Sequence, residues 1–99
     1  MKYEVLVEVR LRPGIADPQG ATVERALPAL GFDGVDQVRV GKAIRLTVDA
    51  ADADDAAGKA GAVADRLLAN PVIEHAEVSV LGAAQAAAGS ANGAGSSAR

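Results

Sequence analysis

The first twelve residues alternate between apolar and polar side chains. Apolar residues occupy every second position from Tyr3 to Leu11, and charged residues fill most of the positions between them, with Leu6 as the exception. A period of two over this length is typical of a β-strand that buries one face and exposes the other to water. The pattern therefore predicts an opening strand over Lys2 to Arg12 with one wet face.

A helix is predicted after this strand. Pro13-Gly14 ends the strand, Asp17 is suited to cap the first helical turn, and Pro18 suits the first helical position. Gly31 lies where a left-handed residue would end the helix. Because proline removes an interior amide, Pro28 predicts a kink or an irregular last turn. The apolar stripe of this helix is Val23, Ala26, Leu27 and Leu30.

Two short apolar runs in the middle of the chain predict a β-hairpin. The runs cover residues 35–40 and 44–48, and they flank Gly41-Lys42. A two-residue loop would mix the two faces of the hairpin, whereas a three-residue loop, Gly41 to Ala43, keeps one face apolar. The resulting cross-strand pairs are Val40 with Ile44 and Val38 with Leu46.

The second half of the chain predicts another helix and a last strand. The acidic run Asp49 to Asp55 suits a helix N-terminus, where the peptide dipoles favour negative charge. Asn70-Pro71 ends the helix, because the residue before proline avoids the helical region. Residues 72–81 then form the strand. The apolar stripe of this helix is Ala56, Ala60, Val63, Ala64 and Leu67.

The predicted order of elements is β-α-β-β-α-β. This order indicates an α+β fold of two layers, in which two helices cover one face of a mostly antiparallel, four-stranded, ferredoxin-like sheet. The domain spans residues 1–81. Fifteen of the last eighteen residues, 82–99, are Ala, Gly or Ser. Such a segment has almost no large apolar side chain to offset the entropy of ordering it, so we expect a flexible tail.

Composition narrows the classes of function. The chain has a net charge of -3, one Phe, one Tyr and no Trp. An acidic, aromatic-poor chain does not favour nucleic acid, and no apolar run approaches the ~20 residues that span a bilayer. We expect a soluble, cytoplasmic protein. Because so small a core is marginal alone, we also expect a homo-oligomer, a dimer or a tetramer, with the uncovered face of the sheet as its contact surface.

No catalytic or metal-binding constellation is evident. His75 is the only histidine, there is no cysteine, and Ser79 has no base paired with it in the pattern. The acidic run at Asp49 lacks the glycine and terminal glutamate of a calcium-binding loop, and it suits helix capping better. We therefore predict no catalytic residue, no metal site and no cofactor bound by this chain.

Three short stretches are nevertheless distinctive. They read D-P-Q-G over Asp17 to Gly20, V-R-V-G-K over Val38 to Lys42, and L-L-A-N-P-V-I-E over Leu67 to Glu74. In this order and spacing they resemble the PurS family, the small subunits of phosphoribosylformylglycinamidine (FGAM) synthase. The resemblance covers residues 1 to 81. The chain departs from the family pattern in Pro28, in a first strand with one Lys and two Arg, and in its tail.

The resemblance implies a PurS-like fold and a role in de novo purine biosynthesis. Family members belong to an ATP- and glutamine-dependent ligase that converts formylglycinamide ribonucleotide (FGAR) to FGAM. The small subunit is non-catalytic: as a dimer it bridges a glutaminase subunit and a large synthetase subunit and helps ammonia transfer. ATP and Mg²⁺ bind at the synthetase subunit. From their physical character at the hairpin turn and at the helix ends, the residues that we expect at the partner interface are Asp17, Gln19, Gly20, Arg39, Gly41, Lys42, Asn70 and Glu74.

Two other classes of protein share the predicted order of elements. One is a small-molecule-binding regulatory module of the ACT type, whose glycine-rich turn after the first strand is echoed weakly by Pro13-Gly14. The other is an acylphosphatase-like enzyme, which needs an arginine loop beside an asparagine-bearing strand; Arg12 and Asn70 do not form that pattern in any obvious way. A shared topology does not fix function, so both stay as alternatives.

Overall fold

The structure, a computed structural model, describes residues 1–84. Its three strands are β1 (Lys2–Leu11), β2 (Lys42–Asp49) and β3 (Glu74–Ala83), and its two helices are α1 (Pro18–Ala26) and α2 (Ala53–Val63). A 3₁₀ turn, Pro28–Leu30, follows α1, and a π-helical turn, Ala64–Leu68, extends α2. Strand β3 continues through the first two residues of the predicted tail. Residues 85–99 of that tail lie outside the described part of the chain.

The three strands form one antiparallel sheet in the order β2-β1-β3. The central strand carries the alternation that its sequence predicts. Val7, for example, lies opposite Ile44 on one side and opposite Val78 on the other, so apolar side chains from all three strands share one face. Val5, Val7 and Val9 are almost fully buried on that face. The opening strand and its single wet face are confirmed.

Helix α2 covers this valine face with alanines. Ala56, Ala60 and Ala64 recur every fourth residue, and all three are fully buried. Methyl groups on the contact face let the helix backbone lie close to the sheet, and close packing of this kind tolerates little extra volume. Helix α2 packs chiefly against β3 and β1 and less against β2. The valine–alanine layer is the core of the described residues.

The π-helical turn changes which side chains reach the core at the end of α2. The sequence pattern placed Val63 and Leu67 on the buried stripe, and both placements are wrong: Leu67 is 79% exposed and Val63 is 39% exposed. Leu68 packs against the core instead. A π turn contains an extra residue relative to the α-helical repeat, so it rotates the residues that follow onto a different face.

The opposite face of the sheet is polar. Glu8 lies between Ala43 and Glu77, and Arg10 reaches Glu77 with 3.6 Å between Nη2 and Oε1. The remaining outward residues include Glu4, Arg45, Thr47, His75 and Ser79, all of them exposed. We expected this uncovered face to be the contact surface between copies. Its charges make it a poor apolar interface, so that expectation has no support from the structure.

The two-layer α+β class is confirmed, but the sheet has three strands and not four. Residues 35–40 form no strand and pair with none in the described part of the chain, and Gln37 has a φ of 54°, so the predicted hairpin is absent. Carboxylates of α1 bond the amides of Val38 and Val40 instead. Helix α1 consequently lies beside this segment and not on the sheet, and only α2 covers the valine face.

The predicted helix boundaries agree with the structure. The Asp17 side chain caps α1, which begins at Pro18, and Asp52 caps α2 in the same way. Helix α1 ends before Pro28 in a 3₁₀ turn, and Gly31 follows it in the left-handed region with φ of 91°. The irregular last turn predicted from Pro28 is confirmed. Within residues 1–84, no helix has the length and apolar character that crossing a membrane requires.

Enlarging Ala60 tests the close approach of α2 to the sheet. We expect Ala60→Leu to destabilise the protein by about 1–3 kcal/mol, because three extra carbon atoms have no space between helix and sheet. Urea unfolding followed by circular dichroism measures the change. Ala62→Leu is the matched control, since Ala62 is exposed on the same helix. Equal stability of the two variants would contradict this packing.

Candidate functional site

The three distinctive stretches of the sequence meet at one end of the sheet. Strand β1 finishes there, and β2 and β3 both begin there: Val9 lies opposite Lys42 and Leu11 opposite Glu74. Segment 37–41 leads into β2 at this end, and the turn at Asn70 leads into β3. Because the neighbouring strands are antiparallel to β1, residues far apart in sequence become neighbours here.

A single carboxylate joins the first two stretches. Asp17 Oδ1 accepts a hydrogen bond from the amide of Gly20 at 2.8 Å, which caps α1. Asp17 Oδ2 accepts another from the amide of Val40 at 2.7 Å. The side chain is only 5% exposed. One residue therefore fixes both the start of the helix and the position of the extended segment before β2.

Two further contacts hold the same segment. Glu24 Oε1 accepts a hydrogen bond from the amide of Val38 at 3.0 Å. Arg39 donates from Nη2 to the carbonyl oxygen of Ile15 at 3.0 Å, and its Nε lies 3.9 Å from Asp17 Oδ2. The amides of alternate residues, 38 and 40, thus face α1. An extended backbone points alternate amides in opposite directions, so the amides of residues 39 and 41 face away from it.

The glycines of the two stretches allow this close packing. A Cβ at position 20 would collide with the carbonyl oxygen of Val38, and a Cβ at position 41 would lie 2.7 Å from that of Val9. Gly20 is buried in the first turn of α1. Each glycine therefore permits a backbone approach that alanine does not.

The charges around Asp17 favour its ionised form. Hydrogen bonds from the amides of Gly20 and Val40, together with the Arg39 guanidinium, hold the pKa of Asp17 below its ordinary value. Hydrogen bonds and nearby cations also lower the pKa of two other carboxylates, one at the far end of the sheet and one at the start of α2. The chain's N-terminal ammonium lowers the pKa of Asp49, and the amide of Ala51 lowers that of Asp55.

An open cleft lies between segment 39–43 and the end of β1. Its volume is about 380 Å³, and three cationic side chains, Arg10, Arg39 and Lys42, line it together with Glu8. The remaining lining residues are Leu11, Val40, Gly41 and Ala43. We call this feature the basic cleft. Guanidinium and ammonium groups beside a small apolar floor can bind a carboxylate or a phosphate.

The third stretch forms its own turn at this end. The Asn70 amide donates to Glu74 Oε1 at 2.7 Å, and Asn70 Oδ1 accepts from the amide of Val72 at 3.1 Å. Arg12 connects the turn to β1 by two hydrogen bonds. Its Nε donates to the carbonyl oxygen of Pro71 at 3.0 Å, and its backbone amide donates to the carbonyl oxygen of Ile73 at 2.8 Å. These polar groups bond one another and shape the entry into β3.

The structure therefore separates the predicted interface residues into three groups. Asp17, Gly20 and Gly41 support the backbone, and Asn70 and Glu74 form the turn. Gln19, Arg39 and Lys42 are exposed and available to a partner. Sequence reasoning missed Glu24 and the role of Arg12. The signal for Glu24 was its position seven residues after Asp17, two helical turns along the same side of α1.

The described residues assemble no reaction centre. No three His, Cys, Asp or Glu side chains within residues 1–84 come together as metal ligands would. His75 lies opposite Arg10 on the wet face of the sheet, and Ser79 lies opposite Leu6. A nucleophile needs a base within hydrogen-bond reach, and neither residue makes such a contact with a side chain in this part of the chain.

Comparison with known protein families identifies one that matches most of this chain. The family model described as PurS, phosphoribosylformylglycinamidine (FGAM) synthase, matches residues 4–82. The chain belongs to the PurS family. The PurS subunit of this synthase from Synechocystis is 47% identical over 73 residues, which are 74% of this chain and 73% of that protein.

Solved structures agree with the family assignment. The PurS subunit of the Thermotoga maritima synthase (EC 6.3.5.3) has a TM-score of 0.76 at 33% identity, over 82% of this chain and 93% of that one. A chain in the structure of PurLQS from Thermotoga maritima has a TM-score of 0.75 at 33% identity, over 82% of this chain and 99% of that one. These matches support PurS membership and do not support the ACT-like or acylphosphatase-like alternatives.

Alanine substitution at two helical glycines tests the close approach of the PurS-family motifs. We expect Gly20→Ala to destabilise the protein by about 1–3 kcal/mol, because the new methyl group collides with the Val38 carbonyl. Gly58→Ala is the matched control. Open space surrounds position 58, so alanine should stabilise that helix by up to about 1 kcal/mol. Chemical unfolding of both variants should give changes of opposite sign.

The low pKa values of Asp17, Asp49 and Asp55 predict acid sensitivity. Their ordinary value is 3.8, and each is lowered in the folded state. The unfolded chain therefore takes up protons first as the pH falls. The stability from these carboxylates is present above about pH 4 and is lost as the pH falls through the lower, folded-state values.

Thermal unfolding between pH 2.5 and 6 measures this loss. Asp17→Asn should be less stable at pH 6, and its unfolding temperature should fall less steeply below about pH 4, because one linked carboxylate is gone. Asp33→Asn is the control, since Asp33 is exposed and accepts no hydrogen bond within residues 1–84. Parallel pH profiles for Asp17→Asn and the original chain would contradict the linkage.

Proposed function

We propose that this chain is a non-catalytic assembly subunit of FGAM synthase in de novo purine biosynthesis. In this role it joins a glutaminase subunit to a large synthetase subunit and helps ammonia pass between them during conversion of FGAR, glutamine and ATP to FGAM. The observation that carries the proposal is the PurS match over residues 4–82. The similarity to a chain of the PurLQS structure supports the assembly role.

The basic cleft supports a specific way of meeting a partner. Arg39 is fixed by the carbonyl of Ile15 and by Asp17, so its guanidinium is oriented before binding. Lys42 is exposed and makes no ion pair within residues 1–84. A partner carboxylate that enters the cleft would meet a preordered guanidinium and a free ammonium. Charge pairs at the rim of an interface chiefly set the rate and specificity of association.

The division of labour in the complex follows from this role. ATP and Mg²⁺ belong at the large synthetase subunit, and this chain binds no cofactor of its own. We place the complex in the cytoplasm, where purine biosynthesis supplies its substrates. We also propose that the chain is a homo-oligomer, a dimer or a tetramer. Val23, Leu30 and Phe32 support this state, since all three are apolar and at least 45% exposed in a single copy.

Charge reversal at Lys42 tests the cleft as a contact for the partner subunits. The obvious double variant, with glutamate at positions 39 and 42, would also place a carboxylate beside Asp17 and disturb segment 37–41. Lys42→Glu alone avoids this defect. We expect it to weaken binding to the glutaminase or synthetase subunit by about tenfold, the effect of a lost charge pair of roughly 1.4 kcal/mol.

Size-exclusion chromatography and titration of the three purified subunits, with and without glutamine and ADP, measure this binding. Arg45→Glu is the matched control, because Arg45 is an exposed cation on the same strand and does not line the basic cleft. Urea unfolding checks that both variants keep their stability. Unchanged binding by Lys42→Glu would remove the cleft from the interface, and no binding by the original chain would overturn the assembly role.

A further inference from the structure

The chain has three lysines, and two of them are engaged by acidic residues. Lys2 Nζ lies 3.8 Å from Asp49 Oδ2. Lys59 Nζ lies 3.5 Å from Asp55 Oδ2 and donates a hydrogen bond to the carbonyl oxygen of Asp49 at 2.8 Å. The side chain of Lys42 makes neither an ion pair nor a hydrogen bond in the described part of the chain. Lys42 is therefore the lysine whose amine is free to react.

Lys42 lies in the basic cleft, where the other charges are mostly positive. Arg10 and Arg39 line the cleft with it, and Glu8 is the one carboxylate among the lining residues. Arg39 Nη2 donates to the carbonyl oxygen of Ile15 at 3.0 Å, so this guanidinium is held in place before a ligand arrives. Guanidinium groups bind phosphate oxygens through a planar fork of N–H donors. A free amine and two phosphate-binding groups therefore share one cleft.

The surroundings of the other two lysines disfavour a phosphate. A phosphate dianion that approached Lys2 would meet the Asp49 carboxylate, and one that approached Lys59 would meet the Asp55 carboxylate. Access does not distinguish the three, because the side chains of Lys2 and Lys59 are 65% and 54% exposed and Lys42 is exposed as well. The sign of the neighbouring charge is what separates Lys42 from the others.

These observations point to a chemical modification. We propose that Lys42 is a site of acylation by small acyl phosphates. Arg10 and Arg39 hold the phosphate of the donor in the cleft, which brings its acyl group to the amine. After the ammonium releases a proton to water, Nζ attacks the acyl carbon. An amide C–N bond forms and the C–O bond to phosphate breaks. Inorganic phosphate leaves with that electron pair and takes up the proton that the nitrogen loses.

Acylation also gives the cleft a means of regulation. An acylated lysine is neutral, so it cannot form an ion pair with a partner carboxylate. The level of acyl phosphate is thereby coupled to assembly of the synthase, and this part of the inference rests on the proposed function. The donor phosphate and the partner carboxylate use the same cationic groups. A bound partner therefore protects Lys42 from acylation.

A comparison of two acyl donors tests the site. We would treat the purified chain with acetyl phosphate or with the uncharged donor N-hydroxysuccinimide acetate, and measure acetylation of each lysine by peptide mass spectrometry. The ratio of Lys42 to Lys59 acetylation should be at least about tenfold higher with acetyl phosphate, the effect of roughly 1.4 kcal/mol of phosphate binding. Comparing ratios cancels differences in intrinsic reactivity. Equal ratios with the two donors would overturn the site.

Inorganic phosphate and a charge-neutral variant show whether the cleft is responsible. Phosphate should abolish the preference for Lys42 at a concentration at which chloride of equal ionic strength preserves it. Arg10→Gln should slow acetylation of Lys42 by acetyl phosphate by at least about fivefold; it is preferred to a change at Arg39, whose guanidinium also has a structural contact. Arg45→Gln is the matched control, since Arg45 is an exposed cation outside the cleft. Equal slowing by both variants would reduce the effect to net charge and contradict the site.

Binding to the partner subunits tests the regulation. The chain acetylated at Lys42 should bind the glutaminase or synthetase subunit about tenfold more weakly than the untreated chain. Lys42→Arg keeps a cation that this donor does not acetylate, so treatment with acetyl phosphate should change its binding by no more than about twofold. A bound partner should slow acetylation of Lys42 and leave that of Lys2 unchanged.

The outcomes separate this inference from the proposed function. Selective acetylation of Lys42 with unchanged partner binding would overturn the regulation. A chain that binds its partners but is acetylated no faster at Lys42 than at Lys59 would overturn the acylation site and leave the proposed function standing. An untreated chain that binds neither partner would overturn the proposed function and the regulation, whereas the acylation site would still stand on the comparison of donors.

Discussion

The bridge made by the Asp17 carboxylate determines how the rest of this structure is arranged. One oxygen closes the first turn of α1 and the other bonds the amide of Val40, so helix and extended segment move as one unit. A buried carboxylate is stable only when it is well bonded, and here two amides and a guanidinium satisfy it. Because this unit points away from the sheet, Arg39 faces the basic cleft, and the apolar side of α1 remains uncovered. The basic cleft and the open helix face therefore have the same origin.

The described residues make a thin core. Among their apolar side chains, only those of three valines and four alanines are essentially buried, and the helix that covers the valines contributes methyl groups. Burial of this extent stabilises a small domain weakly. Apolar atoms that a larger monomer would bury internally, such as those of Val23 and Leu30, remain at the surface of a single copy.

Local patterns in the sequence predicted most elements of the fold and fewer of its long-range contacts. The first strand, both helix caps and the break at Pro28 followed from alternation, capping and proline chemistry, which depend on near neighbours. The hairpin failed because the carboxylates of Asp17 and Glu24 compete for the amides of Val40 and Val38, residues that are 23 and 14 positions away in the sequence. Leu67 failed because a π turn leaves no signature in apolar spacing. For the site, the family motifs named segments that the structure brings to one end of the sheet, but only the structure separated supporting residues, such as Asp17, from exposed ones, such as Lys42.

The polar side of the sheet has a consequence for how this family can diverge. A substitution on this side replaces one hydrated side chain with another. These side chains are exposed and alternate with the buried valines along the strands. Substitution there leaves the free energy of folding nearly untouched. Natural variation should therefore accumulate on this side more freely than elsewhere. Away from Glu8 and Arg10, which also line the basic cleft, it is a suitable place to attach a fluorophore or an affinity group without disturbing the folded core.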